Sequence, residues 1–280
     1  MDATQETNGY TGTLLRAIFG ELEREKISYC VLRNYEGLPD QVGNDIDLFV
    51  DQKDVPRFQA VVLSVSREKG WELVRHEHRY GYCSYYFSLR NLDGVLHLDL
   101  RSPYHWKAMI FASDDVILTT RVRYKSFYIP SKGCEAALSL IKELLPYGRT
   151  KEHYLERITR FAHQDPENFC ATLSRPFGDG LTIQLFKLVQ AGDWSEVSRM
   201  QGALRCMLVV RALRYQPWRQ LVNWAKFLMG HLNERLFHPT GFFLVLMGPD
   251  GVGKSSVAAG LHEQLEKKLF PQVETVHFRP

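Results

Sequence analysis

Two carboxylates one residue apart open an apolar run: residues 43–50 read G-N-D-I-D-L-F-V, with Asp45 and Asp47 in the middle. Successive side chains of a strand point to opposite faces, so the two aspartates share one face while Ile46, Leu48 and Val50 take the other. Residues 95–100 repeat the phase, with Leu96, Leu98 and Leu100 on one side and Val95, His97 and Asp99 on the other. Three carboxylates brought together from neighbouring strands would hold a hard cation through oxygen. Mg²⁺ shared between carboxylates and substrate phosphates is the arrangement that phosphoryl-type chemistry uses. An Asp-x-Asp triplet arises about once by chance in a chain of this size, so the weight rests on the phasing and on Asp99.

A second chemical signal stands near the end. Gly248-Pro249-Asp250-Gly251-Val252-Gly253-Lys254-Ser255, followed by Ser256, satisfies G-x-x-x-x-G-K-[ST]. Glycines let backbone N–H groups converge on a phosphate at the positive end of a helix, Lys254 adds charge, and Ser255 can ligate Mg²⁺. The motif arises by chance in roughly one chain of this size in a hundred. The apolar run Phe242–Met247 predicts a strand ahead of it, and Val257, Leu261, Leu265 and Leu269, spaced by four, predict a helix behind it. A second strand is expected over Val273–Phe278. That is an incomplete α/β β-α-β unit, with no later strand to supply a further acidic ligand before Pro280. It reads as the start of a longer domain, whose unpaired strand edges would favour oligomers.

The remaining elements must position these residues. A helix is predicted over 11–26 from Leu14, Leu15, Ile18, Phe19 and Leu22, then a short strand over 29–33 and a loop over 34–41 containing Gly37 and Pro39. A second helix over 54–69 carries Phe58, Val61, Val62 and Val65, with Gly70 as its cap. Strands follow at 71–76, 83–89 and 95–100, the last two joined through Asn91, Asp93 and Gly94. Phe127–Ile129 reads as a last strand. Beyond Pro130–Ser131 comes a helix with Leu138, Ile141, Leu144 and Leu145 beside Lys142, and then helices over 151–163, 166–173, 181–191, 194–215 and 218–236. The fold class is an α+β domain with a mixed sheet over 1–130, a mainly helical segment over 131–239 and the truncated P-loop unit over 240–280. Arginines 199, 205, 211, 214 and 219 do not share one helical face and read as solvated. His76, His78 and Cys83 lack the spacing of a zinc site.

Composition narrows the function. Over 280 residues, 45% hydrophobic and 24% charged, the chain is globular. A formal charge of only +3 gives no general polyanion-binding surface, so a nucleic-acid partner is not called for. Five cysteines, an odd number without C-x-x-C spacing, fit reduced thiols. No signal-peptide pattern and no apolar run of about 18 residues occur, so a cytoplasmic protein without a membrane partner is expected.

With these residues in view, 10–150 resembles the polymerase-β-like nucleotidyltransferase superfamily. The resemblance implies that Asp45 and Asp47 bind two Mg²⁺ ions, that Asp99 helps activate the attacking hydroxyl, and that Lys142 contacts nucleotide phosphates. Many members carry Gly-Ser after the first strand to hold the triphosphate; this chain has Arg33-Asn34-Tyr35 leading to Gly37. The terminal part resembles the beginning of a thymidylate-kinase-like P-loop domain, with Phe278-Arg279-Pro280 where that group places an arginine for the acceptor phosphate. The whole is similar to the start of a bacterial fusion of the two. Three functions follow. One is Mg²⁺-dependent transfer of a nucleoside monophosphate from ATP or another nucleoside triphosphate to a small hydroxyl acceptor. The second is an ATP-dependent kinase for a nucleotide or small molecule, of which this is a fragment. The third is a non-catalytic nucleotide-binding or scaffold module.

Overall fold

A computed structural model describes residues 3–43, 45–89, 95–112, 114–215, 217–237, 244–249, 251–268 and 274–275. The chain divides into two compact units, Met1–His231 and Leu232–Pro280.

The first unit opens with α1 (Ala3–Arg24), whose stripe of Leu14, Leu15, Ile18, Phe19 and Leu22 is fully buried. Next come β1 (Tyr29–Val31), β2 (Ile46–Val50), a 3-10 turn (Gln52–Asp54), α2 (Val55–Glu68), β3 (Trp71–Arg79), β4 (Tyr82–Leu89) and β5 (Val95–Arg101). The five strands form one mixed sheet in the order β1-β2-β5-β4-β3. Only β2 and β5 run parallel, and in their register Asp47 stands opposite Asp99. The other pairings are antiparallel. One face, with Leu48, Tyr85, Phe87 and Leu98, packs with Phe19, Phe58 and Val62 from α1 and α2 into a continuous core. The alternation read from the sequence thus has its cause in that core: the apolar residues of β2 and β5 turn toward the two helices, and the aspartates turn the other way.

Residues 104–129 hold more structure than the sequence announced. β6 (Tyr104–Trp106) pairs with β7 (Met109–Ala112), α3 (Asp114–Thr119) follows, and β8 (Val122–Tyr124) pairs with β9 (Phe127–Ile129). Strands of three or four residues are too short to show a period. Their turns are also unmarked by glycine, because Lys107, Ala108 and Lys125 take the positive φ instead.

The helices are α4 (Lys132–Tyr147), α5 (Glu152–Gln164), α6 (Pro166–Phe177), α7 (Asp179–Ala191), α8 (Trp194–Arg199), α9 (Gln201–Tyr215) and α10 (Pro217–Phe237). Ser131 caps α4 by accepting from the Cys134 N–H, and Gly148 ends it in the left-handed region at φ 72°. The single helix expected over 194–215 is two, parted at Met200. Gln201 and Arg205 there donate to the Leu144 and Leu145 carbonyls, at 2.6–3.1 Å. Both are last-turn carbonyls of α4, and the Leu144 carbonyl also accepts from the Gly148 N–H at 3.0 Å. Arg205 is therefore a helix-end clamp and not a solvated residue. Among the described residues no helix is long and apolar enough to cross a membrane.

In the second unit, α11 (Lys254–Lys268) follows a glycine turn. Leu244–Met247 is exposed chain outside any strand, unlike the expectation, and Glu274 and Thr275 are not in a strand either. A strand needs a ladder partner, and the described residues of this unit supply none. Asn91, Asp93, Gly94, Phe242, Asp250, Leu269, the rest of Val273–Phe278 and Phe278-Arg279-Pro280 lie outside the described residues.

Candidate functional site

Asp47 and Asp99 project from the same face of two adjacent parallel strands, and Asp45 enters from the residue before β2. One ligand oxygen from each of the three carboxylates lies within 4.8 Å of the others. Asp47 is 1% exposed and Asp99 6%, while Asp45 is half-buried. Three like charges at this separation require positive charge around them.

This chain supplies part of it. The Arg33 Nε donates to Asp47 Oδ2, and its Nη1 donates to the Tyr154 hydroxyl at 2.8 Å. Arg101 Nε and Lys142 Nζ stand 3.6 and 3.8 Å from the other oxygen, Asp47 Oδ1. Burial lowers the Lys142 ammonium to about 8, with Asp47 opposing that shift and Arg101 and Arg33 adding to it. Asp99 is held differently. Its Oδ1 accepts from the Tyr82 hydroxyl at 2.7 Å and from Ser84 Oγ at 2.9 Å, and His97 Nε2 lies 2.7 Å away. His97 stacks on Tyr86 with ring centroids 4.1 Å apart. Burial would raise the Asp99 carboxyl, but the His97, Tyr82 and Ser84 contacts outweigh it and hold the group below its ordinary value. Asp45 has no such support. Burial first, then the Asp47 charge, push its carboxyl up, against the pull of Arg33.

The residues fit a divalent cation on one observation. Asp47 Oδ1 is buried without a hydrogen-bond partner, and Arg101 Nε beside it is likewise unpartnered. A buried carboxylate oxygen left over amid an all-oxygen donor set is what Mg²⁺ or a similar ion completes.

Sequence reasoning named Asp45, Asp47, Asp99 and Lys142, and the fold brings all four together. It passed over Arg101, Tyr82 and Ser84, although the signal was there. Arg101 is two residues beyond Asp99 on one strand face, and Ser84 sits opposite Asp99 in the antiparallel register. Arg33, noted only as a departure at the turn, is the direct ion-pair partner of Asp47.

The P-loop residues belong to the second unit and are described by themselves. Gly251 and Gly253 adopt φ 86° and 90°, which a residue with a Cβ would resist. Lys254 Nζ donates to the Gly248 and Pro249 carbonyls at 2.6 and 2.7 Å, and Ser255 and Ser256 are exposed in the first turn of α11. Val252 is exposed.

No family model and no curated protein matches the chain. Among solved structures it is similar to the antibiotic-resistance factor ANT(2'')-Ia, at 11% identity over 66% of this chain and 97% of that one, TM-score 0.38. It is also similar to JHP933 from Helicobacter pylori, at 12% identity over 78% of this chain and 97% of that one, TM-score 0.35. A further Helicobacter pylori structure, reported under a provisional nucleotidyltransferase name, shares 15% identity over 75% of this chain and 98% of that one, TM-score 0.30. Likeness at this level leaves the chemistry to be read from this chain's own side chains.

Proposed function

We propose that the protein is a nucleotidyltransferase that moves a nucleoside monophosphate from a nucleoside triphosphate to a small hydroxyl acceptor. The observation that carries this reading is the Asp45, Asp47 and Asp99 cluster, with Asp47 and Asp99 buried and one Asp47 oxygen orphaned. Mg²⁺ held by these three carboxylates supplies Lewis-acid neutralisation of the phosphate charge. In the proposed reaction the acceptor oxygen bonds to the α-phosphorus, the bond to the β-phosphate oxygen breaks, and pyrophosphate leaves. Asp99 takes the acceptor's proton. Tyr82, Ser84 and His97 all address its Oδ1, so Oδ2 is the atom assigned to the incoming hydroxyl. Arg33, Arg101 and Lys142 offer the cations against which the departing pyrophosphate is stabilised. Arg33 would do here the work that a Gly-Ser turn does elsewhere. The division into parts at 1–130, 131–239 and 240–280 belongs to the same proposal.

Calorimetry with Mn²⁺ and with Mg²⁺–ATP tests it, using the full chain, Asp47→Asn and Lys254→Ala. Metal binding lost in Asp47→Asn, with an unchanged circular dichroism spectrum, and kept in Lys254→Ala is the expected result. Metal binding that survives Asp47→Asn removes the proposal.

A second reading rests on the glycine turn and Lys254: the second unit binds phosphates and belongs to an ATP-dependent kinase. ATP binding abolished by Lys254→Ala and indifferent to Asp47→Asn would favour it.

A further inference from the structure

Unit one holds a second concavity, of about 670 Å³, well within the range of small-molecule sites. One wall is the β3–β4 turn at Tyr80, Gly81 and Tyr82, and the end of β5 is held to it because the Ser102 N–H donates to the Gly81 carbonyl at 3.1 Å. Gly81 is required there: its φ is 68°, and a Cβ would come within 2.6 Å of the His105 ring. The opposite wall is one face of α10, carrying Trp218, Arg219, Val222, Asn223 and Lys226 at helical spacing.

The lining is one-sided in charge. Arg79, Arg219 and Lys226 contribute to it, and none of the described residues that line it is an aspartate or glutamate. Arg79 pairs with Glu77 at 3.8 Å outside the lining, which lessens its share and leaves the net sign. Ser102, 9% exposed, lines the cavity, and its hydroxyl is buried without a partner. Tyr80, Tyr82 and Trp218 add aromatic surface, Trp218 at 79% exposure. Guanidinium and ammonium groups beside aromatic faces suit a phosphate ester whose carbon skeleton stacks on the rings. Tyr82 also connects this cavity to the acidic cluster, since its hydroxyl donates to Asp99.

We infer that this cavity receives the acceptor and that the acceptor is a small phosphorylated molecule bearing a free hydroxyl. The inference rests on the nucleotidyltransferase reading for the word acceptor, but the phosphate selectivity stands without it. Its volume and the small overall charge favour a small molecule over a polyanion.

The test is calorimetric titration of the full chain with inorganic phosphate, glycerol 3-phosphate and glucose 6-phosphate, against glycerol and glucose. The phosphorylated probes should bind and the uncharged ones should not. Arg219→Ala/Lys226→Ala, and the single charge reversal Lys226→Glu at an exposed helix position, should each weaken the phosphorylated probes at least tenfold. Trp218→Ala should weaken glucose 6-phosphate more than inorganic phosphate. Asp47→Asn and Lys254→Ala should leave this binding unchanged, so a failure of metal binding and a failure of the cavity are read separately. The inference is overturned if uncharged probes bind equally well or no phosphorylated probe binds. It is equally overturned if Lys254→Ala abolishes the binding that the α10 variants keep, or if a ten-nucleotide RNA displaces the probes at lower concentration.

Discussion

Arg33 carries two duties at one carboxylate. It compensates a charge that is 1% exposed, and it is itself held by Tyr154. Replacing it leaves Asp47, among the described residues, with Arg101 and Lys142 at 3.6 and 3.8 Å, so Arg33→Ala should lose about 3 kcal/mol, as when one partner of a buried ion pair is removed. Mg²⁺ should restore much of that loss, because a divalent ion would take over the same compensation. Urea unfolding of the variant with and without Mg²⁺ reads both effects, and a metal-indifferent loss would contradict the assignment of the site. Ser84 is a smaller case. Its buried hydroxyl lies between His97 and Asp99, and Ser84→Ala should cost about 1 kcal/mol in the same measurement.

At the scale of elements, α4 and α6 approach so closely that the position between them admits only glycine. A Cβ on Gly133 would lie 2.1 Å from the Asp165 carbonyl oxygen and 2.5 Å from the Phe169 nitrogen. Gly133→Ala should therefore cost about 3 kcal/mol, at the upper end of overpacking, by thermal or urea unfolding. Asp165 ties the same two helix starts: its carboxylate accepts from the Gly133 N–H at 2.9 Å and from the Asn168 N–H at 3.3 Å. Burial opposes its charge, but those N–H donors, together with Ser131 and the Asn168 side chain, hold its carboxyl below the ordinary value. A lowered value in the folded state gives stability that is present above about pH 4, the unfolded value. It is lost as pH falls through the folded value. Asp165→Ala should thus cost about 1–2 kcal/mol at pH 7, and the gap to the parent should narrow steadily below pH 4 in urea titrations. Such ties explain what could be read from the sequence. The stripes of α1 and α2 and the alternation of β2 and β5 repeat over many residues and were legible, as was the face shared by Asp47 and Asp99. β9 at Phe127–Ile129 was legible too, whereas β6, β7, α3 and β8 were too short to show a period, and the break at Met200 goes with distant contacts such as Arg205 with the end of α4. The exposed chain at 244–247 shows the converse: an apolar run has strand composition, yet it lies outside any strand where no ladder partner is described.

Across the whole molecule the cysteines sort by depth. Cys30, Cys83 and Cys134 are buried, Cys170 is half-buried and Cys206 is exposed. Burial also pushes the Cys134 thiol up to about 11. Ellman's reagent should therefore find one thiol reacting fast in the native protein, removed by Cys206→Ser, and all five only after unfolding. The parallel pairing of β2 with β5 matters here too, since it joins strands from opposite ends of a long excursion through α2, β3 and β4. A nascent chain emerging from the ribosome carries Asp45 and Asp47 well before Asp99, and β2 has no parallel neighbour until β5 has been synthesised. The full set of three carboxylates therefore exists only once β5 has paired with β2, so a chain truncated before residue 99 lacks it.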